Sequence, residues 1–188
     1  MKKEYIFIYL IFAMFLLFGI FFDKQIALAI TDYRISGLND FMIWASYGGT
    51  WFVVLILMTS LFLWNEKKRK WIIPLWLSLG ISALITKILK IVILRDRPYL
   101  ALGFDALVES SRGSLPSGHA TAVFSTLAVL DKEFPRFKWF WLAFALLVAF
   151  SRMYLGVHYL TDVVIGGIIG LTVGLFVLYY WNRFKHRK

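Results

Sequence analysis

The sequence predicts an all-α polytopic membrane protein with six transmembrane helices, on three observations. The 188 residues are 60% hydrophobic and 19% aromatic, with a mean hydropathy of +0.72, too apolar for a soluble domain of this size to cover with polar surface. Apolar stretches recur along the whole chain, whose length permits one domain with about six spans of roughly 20 residues each. Short, strongly basic connections separate some of these stretches, as membrane orientation requires. The net charge of +10 would suggest nucleic acid in a soluble protein, but here the lysines and arginines serve orientation and lipid contact, and no nucleic-acid partner is expected. Cysteine is absent, so disulfides, thiol chemistry and thiolate metal sites are excluded.

The first apolar run, Tyr5–Phe22, has 18 residues and follows Lys2 and Lys3. Ala27-Leu28-Ala29 offers small residues at a signal-cleavage spacing. The run nevertheless exceeds the roughly 7–15 residues of a signal core, so a retained first span is expected. Asp23–Asp40 reads as a mixed loop. Phe41–Trp64 is interrupted by Gly48-Gly49-Thr50 and is expected to enter as an interfacial turn or helix before spanning. Asn65–Lys70 is a basic turn. Trp71–Leu94 is the third span, carrying Lys87 and Lys90 late in its course. Arg95–Pro116 is the longest polar connection, Ser117–Leu130 starts a short fourth span, and Asp131–Lys138 is a charged turn. Trp139–Phe150 opens the fifth span, Tyr159–Trp181 is the sixth, and Arg183–Lys188 is a basic tail. Gly166, Gly170 and Gly174 in the last span are spaced for close helix packing within the chain. A homodimer seam there is an alternative that nothing else in the sequence supports.

Charge orients this arrangement. Lys2, Lys3, Lys67, Lys68, Arg69, Lys70, Lys132, Arg136, Lys138, Arg183, Lys185, Arg187 and Lys188 fall on the side of the N-terminus, 13 in all. The other side carries 6: Lys24, Arg34, Arg95, Arg97, Arg112 and Arg152. Both termini are therefore expected in the cytoplasm, with Arg95–Ser117 and Ser151–Asp162 together on the extracytoplasmic face.

Three clusters meet on that face. In Ser151–Asp162, His158 and Asp162 are four residues apart, which on a helix puts them on one side, one turn apart. An aspartate bonded to one imidazole nitrogen leaves the other free to attack or accept a proton, and Arg152 supplies a planar fork suited to phosphate. Lys90 and Arg97 are two helical turns apart, with Pro98 ending the helix. Lys87 is expected to snorkel to the interface. In Pro116-Ser117-Gly118-His119, Ser117 is suited to cap the fourth span, whose opening N–H groups form an anion site. Gly118 allows close backbone approach, and His119 lies on the first turn.

In this order, Lys90-x6-Arg97-Pro98, Pro116-Ser117-Gly118-His119 and Ser151-Arg152-x5-His158-x3-Asp162 resemble the three-part signature of the type 2 phosphatidic acid phosphatase superfamily. The resemblance runs from the third span to the start of the sixth. The compact chain and the Tyr154-Leu155-Gly156-Val157-His158 context are similar to bacterial phosphatidylglycerophosphate and undecaprenyl-diphosphate phosphatases. It implies a single phosphatase domain over residues 1–188, with a catalytic core at about 87–166, in a bacterial plasma membrane. It also implies metal-independent hydrolysis of a lipid phosphate or diphosphate, without a cofactor. His158, oriented by Asp162, attacks phosphorus; His119 protonates the leaving oxygen and then activates water; Lys90, Arg97 and Arg152 hold the non-bridging oxygens, assisted by Ser117 and Gly118. Tyr99–Gly113 would cover the headgroup. Arg112 is expected to be a solvated loop residue, and Asp96 has no assigned role.

Competing classes are a transporter or channel, a catalytically silent lipid-phosphate-binding protein, and a haloperoxidase. The first accounts for charges among spans but not for the His–Asp spacing. A complete set of candidate catalytic residues argues against the second, and six spans argue against the third.

Overall fold

The computed structural model describes residues 3–64, 66–110 and 113–185, and every regular element among them is helical. The chain runs α1 (Lys3–Asp32), α2 (Ser36–Gly48), α3 (Trp51–Leu63), a 3-10 turn (Glu66–Trp71), α4 (Ile72–Ile93), the short α5 (Pro98–Leu102), α6 (Gly118–Glu133), a 3-10 turn (Pro135–Phe137), α7 (Lys138–Tyr154) and α8 (Leu160–Lys185). Lys2, Arg112, His186, Arg187 and Lys188 lie outside the described residues.

The helical class is as expected, and four or five of the six expected spans are recovered among the described residues by length and composition. Four helical segments are long and apolar enough to cross a membrane: Lys3–Asp32, Glu66–Leu102, Pro135–Tyr154 and Leu160–Arg183. A fifth arises if α2 and α3, bent by 63° at the expected Gly48-Gly49-Thr50 break, form one span. The expected fourth span, α6, has only 16 residues. Its Ala120–Asp131 are all buried, so it contacts protein rather than lipid. Such a helix can be rich in Ala, Ser and Thr, because its hydroxyls bond backbone carbonyls: Thr121 to Ser117, Ser125 to Ala122 and Thr126 to Val123, each at 2.8 Å.

Around α6 sit α4, α7 and α8, with α1 outside α8. The glycine stripe of α8 is occupied by α6. A Cβ on Gly170 would come within 2.4 Å of the Thr121 carbonyl oxygen, and one on Gly174 within 2.4 Å of that of Ser125. The stripe thus serves packing within the chain, which fixes α6 and α8 backbone to backbone below the site.

The first helix also departs from expectation. α1 continues through Asp23 and Lys24 to Asp32, where the sequence reads as a loop. Asp23 is buried and paired there, while the apolar face around it, with Phe21 at 71% exposure, points outward as a lipid-facing surface would.

Candidate active site

Two of the sequence-level spacings act differently from the helical reading. α7 ends at Tyr154 and α8 begins at Leu160, so His158 lies in the intervening turn and not on a helix with Asp162. Gly156 makes that turn with φ +80°, and a Cβ there would collide with Arg34 Nη2 at 2.5 Å. Asp162 sits three residues into α8's N-terminal cap and accepts from the Tyr159 N–H at 2.9 Å, the reach-back half of a capping box. His158 and Asp162 still meet: His158 Nδ1 lies 3.4 Å from Asp162 Oδ2. Similarly, α4 ends at Ile93, before Pro98, with Leu94 in the left-handed region at φ 48°. Lys90 and Arg97 therefore do not share a helix face. They converge on one carbonyl instead, that of Gly113, from Lys90 Nζ at 2.6 Å and Arg97 Nη2 at 3.2 Å.

Arg97, 4% exposed, also donates to the Val157 carbonyl at 2.7 Å and approaches His158 Nε2 at 3.3 Å. A guanidinium can only donate, so Nε2 must present its lone pair and Nδ1 must carry the proton that Asp162 accepts. Burial pushes the His158 imidazole down to about 3, against the upward pull of Asp162, so the ring is neutral at pH 7. The chain thus presents a neutral, oriented imidazole whose lone pair faces a cation.

Arg152 is buried and tied by Ser46 Oγ through Nη1 and by Ser110 Oγ through Nη2 at 3.3 Å, while its Nε has no protein partner. His119 lies on the first turn of α6, within electrostatic reach of Arg152, His158, Lys90 and Arg97. Ser117 does not cap α6 with its hydroxyl, as the sequence suggested. Its backbone N–H bonds the Asp162 carbonyl at 3.0 Å, locking the α6 start to α8, and its buried Oγ is without a partner. Gly118 is close-packed, since a Cβ would lie 3.3 Å from Trp51 Nε1. All eight candidates, Lys90, Arg97, Ser117, Gly118, His119, Arg152, His158 and Asp162, therefore belong to one region. Lys87 and Asp96 are exposed and take no part.

Sequence reasoning missed the groups behind Asp162. Ser114 Oγ donates to Asp162 Oδ2, and Arg95 Nη1 donates to Oδ1 at 2.7 Å. Arg95 Nη2 in turn pairs with Asp23 of α1 at 2.8 Å. Two of these positions carried a signal: Arg95 is a second arginine beside Arg97, and Asp23 is a carboxylate next to a long apolar run. Among the described residues, no three His, Asp or Glu side chains gather in a way that could hold a metal ion. The arrangement can bind a tetrahedral anion among fixed cations and offer it a nitrogen lone pair.

Known proteins resemble this chain over most of its length. The family model described as the PAP2 superfamily matches residues 71–186. The undecaprenyl-diphosphatase of Sulfolobus acidocaldarius is 32% identical over 154 residues, covering 79% of this chain and 73% of the relative. Phosphatidylglycerophosphatase B of Bacillus subtilis is 31% identical over 176 residues, covering 87% and 85%. The crystal structure of a transmembrane PAP2-type phosphatidylglycerolphosphate phosphatase from Bacillus subtilis superposes with a TM-score of 0.75 at 25% identity, covering 95% of this chain and 96% of that one.

Proposed function

We propose that this chain, which belongs to the PAP2 superfamily of lipid phosphatases, hydrolyses a lipid phosphomonoester or diphosphate through a phosphohistidine at His158. It is a membrane protein, and the substrate's hydrocarbon chains remain in the lipid while the headgroup enters the cationic site. The observation that carries this reading is the neutral imidazole held between Asp162 and Arg97, its Nε2 lone pair beside the cations.

In the first step Nε2 attacks phosphorus and the bond to the leaving oxygen breaks. Asp162 stabilises the imidazolium-like charge that develops on the ring. Lys90, Arg97 and Arg152 neutralise the three equatorial oxygens, where transition-state charge concentrates. Ser117 Oγ and the Gly118 N–H add donors. His119, made protonatable by the arriving phosphate charge, donates to the leaving oxygen and then activates the water that cleaves the P–N bond. Turnover needs no metal in this scheme, because the three cations supply the charge neutralisation. Residues 87–166 form the catalytic core within a single domain spanning 1–188. The charge bias supports cytoplasmic termini and an extracytoplasmic site in a bacterial plasma membrane.

The relatives named above suggest two substrate types, a prenyl diphosphate and phosphatidylglycerophosphate. Phosphate release from undecaprenyl diphosphate, phosphatidylglycerophosphate, phosphatidic acid and diacylglycerol diphosphate tests the reading. The wild type should release phosphate from at least one, and His158→Ala from none; equal release by both would refute it.

A further inference from the structure

The carboxylate that orients His158 is itself held by a chain of contacts that leaves the catalytic core. Asp162 is fully buried, and its Oδ1 takes the Arg95 Nη1 bond at 2.7 Å. Arg95 is only 29% exposed and is shared: its other nitrogen, Nη2, reaches Asp23 Oδ2 at 2.8 Å. Asp23 also accepts from the Thr161 N–H at 3.0 Å and from the Thr161 hydroxyl, so it closes the open N-terminus of α8 from a different helix. Arg95 Nη1 also donates to Thr161 Oγ1 at 2.7 Å, and its guanidinium stacks 4.1 Å above the Tyr159 ring. Both oxygens of Asp23 and both terminal nitrogens of Arg95 thus have partners. The approach of α1 depends on Gly19, where a Cβ would stand 2.8 Å from Thr161 Cγ2. Asp23 lies outside residues 71–186, the part that the family model matches.

We infer that Asp23 and Arg95 are positioning residues for the His158–Asp162 pair: Asp23 holds Arg95, and Arg95 holds Asp162 Oδ1, so that Oδ2 stays aimed at His158 Nδ1. The inference rests on the phosphatase reading above. Physically, an arginine paired with Asp162 alone would draw the carboxylate toward itself and weaken its hold on the imidazole. Sharing Arg95 with Asp23 divides that pull and fixes the guanidinium plane. A buried carboxylate on a lipid-facing helix is costly without such a partner, which gives α1 a reason to carry one. The helix furthest from the chemistry in sequence thereby becomes part of its support.

The test compares wild type, Asp23→Asn and Asp23→Glu, purified in detergent, by steady-state kinetics on the four lipids and by nitrogen-15 resonances of the histidine imidazoles. Asparagine keeps the shape but turns either a donor or a weaker acceptor toward Arg95. The expected result is a fall in kcat of about 10- to 100-fold with KM within about 3-fold. Glutamate should recover most of kcat. The His158 Nδ1 resonance should move away from its protonated position in Asp23→Asn and return in Asp23→Glu. Unchanged kcat and unchanged His158 resonances would overturn the inference. So would lost activity with unchanged resonances and no rescue by glutamate, the outcome of a merely structural role. If the wild type releases phosphate from no lipid, the functional reading fails, and the imidazole resonances alone decide the positioning claim.

Discussion

Replacing Asp162 with asparagine removes one charge and one acceptor from the most constrained position of the site. Asp162 Oδ1 accepts from Arg95, and Oδ2 accepts from Ser114, Tyr159 N–H and His158 Nδ1. A carboxamide must turn its NH2 one way or the other. Facing Arg95, it sets donor against donor. Facing Tyr159 and His158, it loses the backbone bond and forces His158 Nδ1 to accept, which moves the ring proton to Nε2. That nitrogen then has no lone pair for phosphorus. By analogy with a triad aspartate changed to asparagine, where the wrong tautomer costs about 10⁴ in kcat, we expect a loss of about 10³- to 10⁴-fold. Leaving Arg95 without its buried partner should also destabilise the fold by roughly 3 kcal/mol, at the lower end for broken buried pairs because Arg95 retains Asp23. In a chain of this length that corresponds to a drop in Tm of about 6–12 °C. Phosphate release and thermal unfolding in detergent give the two numbers. A kcat within 10-fold of wild type would show that Asp162 does not set the tautomer and would refute the reasoning.

Other outcomes follow from the same geometry. The His158 imidazole has its pKa depressed from 6.5 to about 3 in the fold, so the unfolded chain binds the proton first on acidification. Its contribution to stability is present above pH 6.5 and is lost as pH falls toward 3; melting at pH 7 and pH 4 should differ less in His158→Gln than in wild type. Ser46→Ala removes the hydroxyl that ties Arg152 Nη1 and should raise KM about 3- to 10-fold with a smaller change in kcat. Gly170→Val drives a side chain into the Thr121 carbonyl oxygen and should destabilise by about 1–3 kcal/mol, whereas Gly80→Ala, with open space around its Cβ, should stabilise α4 by about 0.5–1 kcal/mol in the same melts. Phosphate release should persist in excess chelator, and its abolition would overturn the three-cation scheme.

Much of the site was legible in the sequence because its chemistry is unusual in an apolar chain. Lys90, Arg97, His119, Arg152, His158 and Asp162 stand out where a membrane segment avoids charge. Their convergence was legible too, but not its route: the left-handed Leu94 and the Gly156 turn replace the helix faces that the spacings suggested. The hidden part is long-range. Asp23 and Arg95 are 72 residues apart, and each reads alone as an ordinary loop charge. Ser46 and Ser110 reach Arg152 across 106 and 42 residues and have no local signature. For the fold, long lipid-facing helices announce themselves by continuous apolar runs. α6, read as a short span starting at Ser117–Leu130, forms there as a 16-residue helix, but its burial against protein was not legible, because its Ala, Ser and Thr content carries no sign of which helices surround it.

The central claim is a covalent phosphoryl group on His158. Rapid acid-free quenching of the enzyme with a lipid labelled in its phosphate, followed by peptide mapping, tests it most directly. Label should appear on the peptide containing His158, stable in alkali and labile in acid, accumulate when His119→Asn slows hydrolysis of the intermediate, and vanish in His158→Ala. Turnover by wild type with no label on that peptide under any quench, or label that survives His158→Ala, would contradict the account.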